Sequence, residues 1–198
     1  MVLAMKAHAL LILVLIGAML VAVACGGGSS NPHAANPNAK EQSPPGDIPD
    51  NQVFVRVTPH GSNFSVKVPE GWGRSTAAGA VSFTDKLNTI QMREVPAGAA
   101  LTVKAAKRTE LPRLAQAVNG FRAGTVTTVT RPAGRALRIT YLAQAKPNAV
   151  TGKGGTNAVE RYVFFHNGRD LVLTLAGPKG ADNVDPWKIV TSSVRWKA

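Results

Sequence analysis

AVERYVFFHNGRDLVLTLA, residues 158–176, reads as two strands folded back on each other. Ala158–Phe165 and Asp170–Ala176 are rich in β-branched, aromatic and aliphatic side chains, which fit a pleated, half-buried surface. Between them lies His166-Asn167-Gly168-Arg169. Asn-Gly accepts the positive φ values of a type I′ turn, whose twist matches that of the flanking strands. The stretch therefore predicts an antiparallel hairpin.

Working outward, the same pattern recurs on both sides. Upstream, Gly124–Arg131 and Arg135–Ala145 form a second hairpin around Pro132-Ala133-Gly134, followed by a polar loop from Lys146 to Asn157. Downstream, Asp185 caps a helix with Pro186 at its first position, where the missing N–H costs nothing. Trp187 and Val190 share one face of that helix, with Ile189 alongside, and Ser193–Trp196 makes a last strand. Thr102 is a good N-cap for a helix over Val103–Arg108, which Pro112 breaks or restarts. Leu111, Leu114 and Ala117 lie on the apolar side of that continuation. Shorter strands precede it at Val53–Val57, Phe64–Val68, Ala80–Thr84 and Thr89–Val95, with Pro59–Asn63 and Pro69–Trp72 as turns. Hairpins with two or three helices indicate an α+β domain, its helices packed on an antiparallel sheet.

The run Phe64-Ser65-Val66-Lys67-Val68-Pro69-Glu70-Gly71-Trp72 resembles the F-x-V-x-x-P-x-G-W opening of PsbP-like lipoproteins. The closing helix, with Trp187 and Ile189 and then Ser192-Ser193-Val194, is similar to the end of that family. The likeness covers about residues 52–197. It implies an α-β-α sandwich with a central antiparallel sheet, a structural role for Trp72 as a cap on the core, and frequent lipid anchoring.

The N-terminus supports such an anchor independently. Lys6 supplies a positive start, and Ala9–Ala24 then run without a polar side chain. As a helix these residues would span about 24 Å, short of a full membrane crossing. Residues 1–24 thus read as a secretory signal peptide. Ala22-Val23-Ala24-Cys25 resembles the bacterial lipobox, in which the cysteine thiol receives a diacylglycerol and becomes the first residue. Lipid on Cys25 would place the chain on the outer face of the cell membrane. Residues 25–51, rich in Gly, Ser, Asn and Pro, read as a disordered tether, and residues 52–198 as the globular domain.

The full chain carries +12, with 23 Lys and Arg against 11 Asp and Glu. A field of that sign favours anionic partners, while a dispersed solvated surface explains it equally well. Candidate residues for an anionic polymer or protein partner are Arg93, Arg138 and Arg161 on strands and Lys153 in the long loop. Nucleic acid is not expected, because the anchor places the domain outside the cytoplasm. No metal or cofactor is expected either. Cys25 is the only cysteine, and His8, His33, His60 and His166 follow no ligand spacing. Gly152-Lys153-Gly154-Gly155-Thr156 lacks the phosphate-loop pattern, and no G-x-S-x-G is present. The leading reading is a non-enzymatic binding domain. A carrier of a small apolar ligand between helix and sheet, and a hydrolase with its site assembled from distant segments, are the alternatives.

Overall fold

The computed structural model describes residues 44–147 and 154–197. Seven strands form one antiparallel sheet: β3 (Gly73–Ala77), β4 (Ala80–Asp85), β5 (Asn88–Pro96), β6 (Arg122–Arg131), β7 (Gly134–Gln144), β8 (Thr156–His166) and β9 (Arg169–Pro178). Their spatial order is β3-β4-β5-β9-β8-β7-β6, so the hairpin of residues 158–176 sits at the centre. Asn167 and Gly168 take φ of 46° and 74°, the left-handed pair required of that turn. A second sheet holds β1 (Phe54–Val57), β2 (Phe64–Pro69) and β10 (Arg195–Trp196) in the order β1-β2-β10.

The alternation of side chains along the large sheet builds two cores, one on each face. Phe164, Tyr162, Leu171, Leu173, Leu175, Ile90, Met92 and Phe83 meet Phe64, Val66 and Val68 of β2, and Trp187 and Val190 of helix α3 (Val184–Ser192). On the reverse face Leu137, Ile139, Tyr141, Val159, Val163 and Val172 meet Ala106 and Leu114 from the segment between β5 and β6. That segment is α1 (Val103–Ala105), a π-turn over Ala106–Glu110, and α2 (Leu111–Ala117). The domain is therefore the expected α+β sandwich, with the three-stranded sheet sharing a layer with α3. Trp72 is half-buried and packs on the β2–α3 side of the core, as a core-capping residue should.

Thr102 caps α1 as expected, its side-chain oxygen accepting from the Ala105 N–H at 3.2 Å. Pro112 acts through the turn before it. Its ring cannot donate to the carbonyl four residues back, and the chain bonds one residue wider, the Leu111 N–H donating to the Ala106 carbonyl. The widened turn shifts the buried stripe to Ala106, Glu110 and Leu114, leaving Leu111 half-buried and Ala117 exposed. This corrects the stripe expected from an uninterrupted 3.6-residue period.

Four further corrections have local causes. Strand β3 was not anticipated because its sequence, GRSTA, has no apolar alternation. It is an exposed edge strand held by pairing with β4 alone. Strand β1 begins at Phe54 and not at Val53, and Val53 and Val55 are exposed at this edge of the small sheet. The cap of α3 is Asn183, not Asp185, which falls in the first turn, and Ile189 is exposed at 44%. Only Arg195–Trp196 pair as the last strand. Ser193 instead ends α3, donating to the Val190 carbonyl at 2.7 Å and accepting from the Lys67 N–H at 2.7 Å.

The domain's packing also begins before Gln52, inside the stretch assigned to the tether. Ile48 is buried, and its N–H donates to Asn183 Oδ1 at 2.8 Å. Asn183 and Asn88 both donate to the Gly46 carbonyl at 2.9 Å. Gly177 runs beneath this knot. A Cβ there would stand 2.4 Å from Asn88 Oδ1 and 3.0 Å from Asn183 Nδ2, so a side chain at 177 would displace both amides.

Candidate functional site

Arg138 and Arg161 lie one register step apart on neighbouring strands, Arg138 opposite Tyr162 and Arg161 opposite Ile139. Because successive side chains alternate, the two arginines emerge on opposite faces of the sheet. Arg138 faces the α3 side, where it forms a two-bond pair with Glu160, which also accepts from the Tyr162 hydroxyl at 2.6 Å. Burial, followed by that bond to Glu160, pushes the Tyr162 hydroxyl up to about 12. Arg131 lies over the Tyr162 ring at 5.7 Å and donates to Thr191 at 3.1 Å.

Arg161 faces the helices. Its guanidinium donates to Glu110 Oε1 at 3.0 Å and to Thr174 Oγ1 at 3.2 Å. Its Nε is buried without a partner among the described residues. Asp170 shares this face and has a buried oxygen that is likewise unpartnered. Burial, then the nearby Glu110 charge, holds the Asp170 carboxyl above its usual range.

Arg93 is exposed, donates to the Ala78 carbonyl at 2.7 Å, and borders a hollow of about 160 Å³ beside His60 and Arg169. Arg169 itself binds Glu94 at 2.5 Å. The structure thus brings none of Arg93, Arg138 and Arg161 together. Lys153, Cys25, His8, His33 and the signal and lipobox residues lie outside the described residues. His166 stacks on Trp196 with ring centres 4.6 Å apart.

Pairing has a consequence for the surface. Glu94, Glu110 and Glu160 are each held by an arginine, and each is largely buried at its side chain. On the segment between β5 and β6 every exposed charge is a cation. Lys104, Lys107 and Arg108 are exposed together over the α1 and π-turn segment, and Arg113 follows on α2. Below the start of α1 a half-open cleft of about 720 Å³ separates the helix from β6–β8. Its apolar lining is Leu101, Val103, Leu137, Val163 and Phe165. Lys104, Arg135, Thr102 and Thr128 supply its polar side, and among the described residues no carboxylate lines it. Neither Lys104 nor Arg135 enters an ion pair among the described residues.

Glu110 was the residue that the motifs did not reveal. It is the lone acid among Lys104, Lys107, Arg108 and Arg113, four residues from both Ala106 and Leu114. A carboxylate on the apolar stripe of an otherwise basic helix signals a buried cation partner. Among the described residues no group of three His, Cys, Asp or Glu is placed to hold a metal, and no helix is long and apolar enough to cross a membrane.

Glu94 gives the fold an acid-sensitive link. Burial raises its carboxyl. Donation from the Asn63 N–H, the Arg169 guanidinium and the Asn63 amide, together with the Arg169 charge, outweighs burial and holds it below its ordinary 4.5. A lowered carboxylate contributes stability that is complete above the ordinary value and is lost as pH falls through the lowered one. The stability gap between the native chain and Glu94→Gln is therefore expected to stay flat above pH 4.5 and to narrow in stronger acid, as read by denaturant melts. A gap independent of pH would remove this link.

No protein-family model and no curated protein matches the chain in sequence. Among solved structures it is similar to the cyanobacterial PsbP protein (CyanoP) of Synechocystis sp., at 12% identity and a TM-score of 0.51, covering 76% of this chain and 98% of that one. It is also similar to the Ran-binding protein Mog1p of Saccharomyces cerevisiae, at 14% identity and a TM-score of 0.46, over 65% of this chain and 78% of that one. A Bacteroides thetaiotaomicron protein aligns at 14% identity and a TM-score of 0.43, over 69% of this chain. The chain spans only 46% of that protein's length. At these identities the likeness extends to the fold alone, and that fold is the PsbP-like α+β sandwich.

Proposed function

We propose that the chain is a lipid-anchored envelope protein whose α+β domain binds an anionic partner without chemistry of its own, using the helix-side surface. The observation that carries this reading is the segregation of charge. On the segment between β5 and β6 the single acid, Glu110, is engaged with Arg161 inside the fold, whereas Lys104, Lys107 and Arg108, and Arg135 at the start of β7, face solvent. Such a surface attracts anions over long range and loses its pull as salt screens it. The anchor half of the reading rests on Cys25 and the apolar run before it, which would hold the domain beside anionic headgroups, wall polymers or acidic protein surfaces.

Both halves are testable. Mass analysis of the membrane-extracted protein is expected to find a chain beginning at Cys25 and carrying acyl mass. An unmodified or unprocessed N-terminus would remove the anchor. A photo-crosslinking side chain at position 107 is expected to capture one partner in the native envelope, and the same group at position 188 on α3 is expected to capture none of it. Equal capture from both positions would remove the helix-side assignment.

A further inference from the structure

We infer that the cleft beneath α1 is a binding site for a single-chain anionic amphiphile, an acyl chain ending in a carboxylate or phosphate. This rests on the non-enzymatic binding reading and supplies its ligand class. A cavity of about 720 Å³ lies within the roughly 300–1,000 Å³ range of small-molecule sites. Its two kinds of lining are separated in a way that suits one molecule with two ends. Leu101, Val103, Leu137, Val163 and Phe165 offer a hydrocarbon wall with no polar side chain among them. Leu137 and Val163 are themselves core residues, so the wall is a continuation of the packed interior.

Lys104 and Arg135 both border the same cleft, together with the hydroxyl residues Thr102 and Thr128. With no carboxylate in the lining among the described residues, a cationic or zwitterionic headgroup has no counter-charge from them there. An ordinary apolar molecule would gain nothing from either cation. An anionic head near Lys104 and Arg135, with the chain against Leu137 and Phe165, satisfies both ends.

The test is equilibrium binding of dodecanoate, dodecyl phosphate, octanoate and dodecylamine, all below their micelle-forming concentrations, to the chain from residue 26 onward. Either dodecyl anion is expected to bind saturably at one site, the tighter one identifying the preferred head. Octanoate is expected to bind at least tenfold more weakly, since each fully buried methylene tightens binding by about fourfold. Dodecylamine is expected not to bind. Lys104→Glu with Arg135→Glu should weaken the dodecyl anions at least tenfold, whereas Lys188→Glu, on the opposite layer, should leave them unchanged. If the double variant fails to melt cooperatively, the comparison of anion, amine and chain length on the native chain still decides. Equal binding of dodecylamine, no dependence on chain length, or no effect of a folded double variant would overturn the site. Loss of amphiphile binding with retained capture from position 107 would refute this cleft and leave the broader reading standing.

Discussion

Replacing Glu110 with Ala is expected to cost about 3–5 kcal/mol of folding stability, because it strands the Arg161 guanidinium between helix and sheet. The Glu110 side chain is 12% exposed and that of Arg161 22%, so water does little to screen the pair. Among the described residues Arg161 would retain only Thr174, a neutral partner at 3.2 Å, and its Nε has no partner there. The carboxylate also fixes the π-turn against β8, since Glu110 is its last residue. The loss should appear in the denaturant midpoint with little change in slope.

A second variant separates pairing from packing. Replacing both members, Glu110→Leu with Arg161→Met, is expected to recover most of the loss, as apolar isosteres of buried ion pairs generally do. Equal loss in the single and double variants would show that burial at these positions, and not the charge pair, is what matters. A single-variant loss under about 1 kcal/mol would place the pair in the class of surface ion pairs.

Trp187→Ala is the other large effect, expected at about 3–5 kcal/mol. Trp187 is 8% exposed and belongs to the core built by β2 and the central strands. It also covers Gly177, whose position leaves room for the indole: a Cβ on Gly177 would lie 3.5 Å from Trp187 Cζ2. Removing the ring empties the space where α3 meets the sheet, close to the Asn183–Asn88–Gly46 knot. Ile189→Ala, two residues on, is expected to stay within about 0.5 kcal/mol because Ile189 faces solvent. Similar losses for the two variants would mean that α3 is seated differently on the sheet.

Much of the fold was legible in the sequence, and the parts that were not share a cause. The central hairpins were readable because Asn167-Gly168 states its own turn and both flanking strands are apolar. Strand β3 was not, because an edge strand exposed along its whole length carries no burial pattern to read. The N-terminal limit was missed because Ile48 is a single apolar residue in a Pro-, Gly- and Asp-rich stretch. Its burial depends on Asn183, distant by 135 positions. For the candidate site, composition showed an excess of cations but could not sort them. Arg138 and Arg161 looked alike on paired strands. Only the register reveals that they point to opposite layers, each to its own glutamate. Lys104, Lys107 and Arg108 on the helix carry no spacing that sets them apart from other surface cations.

If the helix-side cations make the domain a binder of anions, its binding must weaken with salt. The measurement is binding of the lipid-free chain to native envelope fragments as salt is raised from about 50 mM to about 500 mM, a range over which the screening length shortens markedly. The native chain is expected to lose at least tenfold in affinity over that range. The variant with Lys104, Lys107, Arg108 and Arg135 all changed to Glu is expected to show no binding at either end. Affinity that is unchanged by salt, or retained by that variant while it remains folded, would mean that these cations do not make the binding surface.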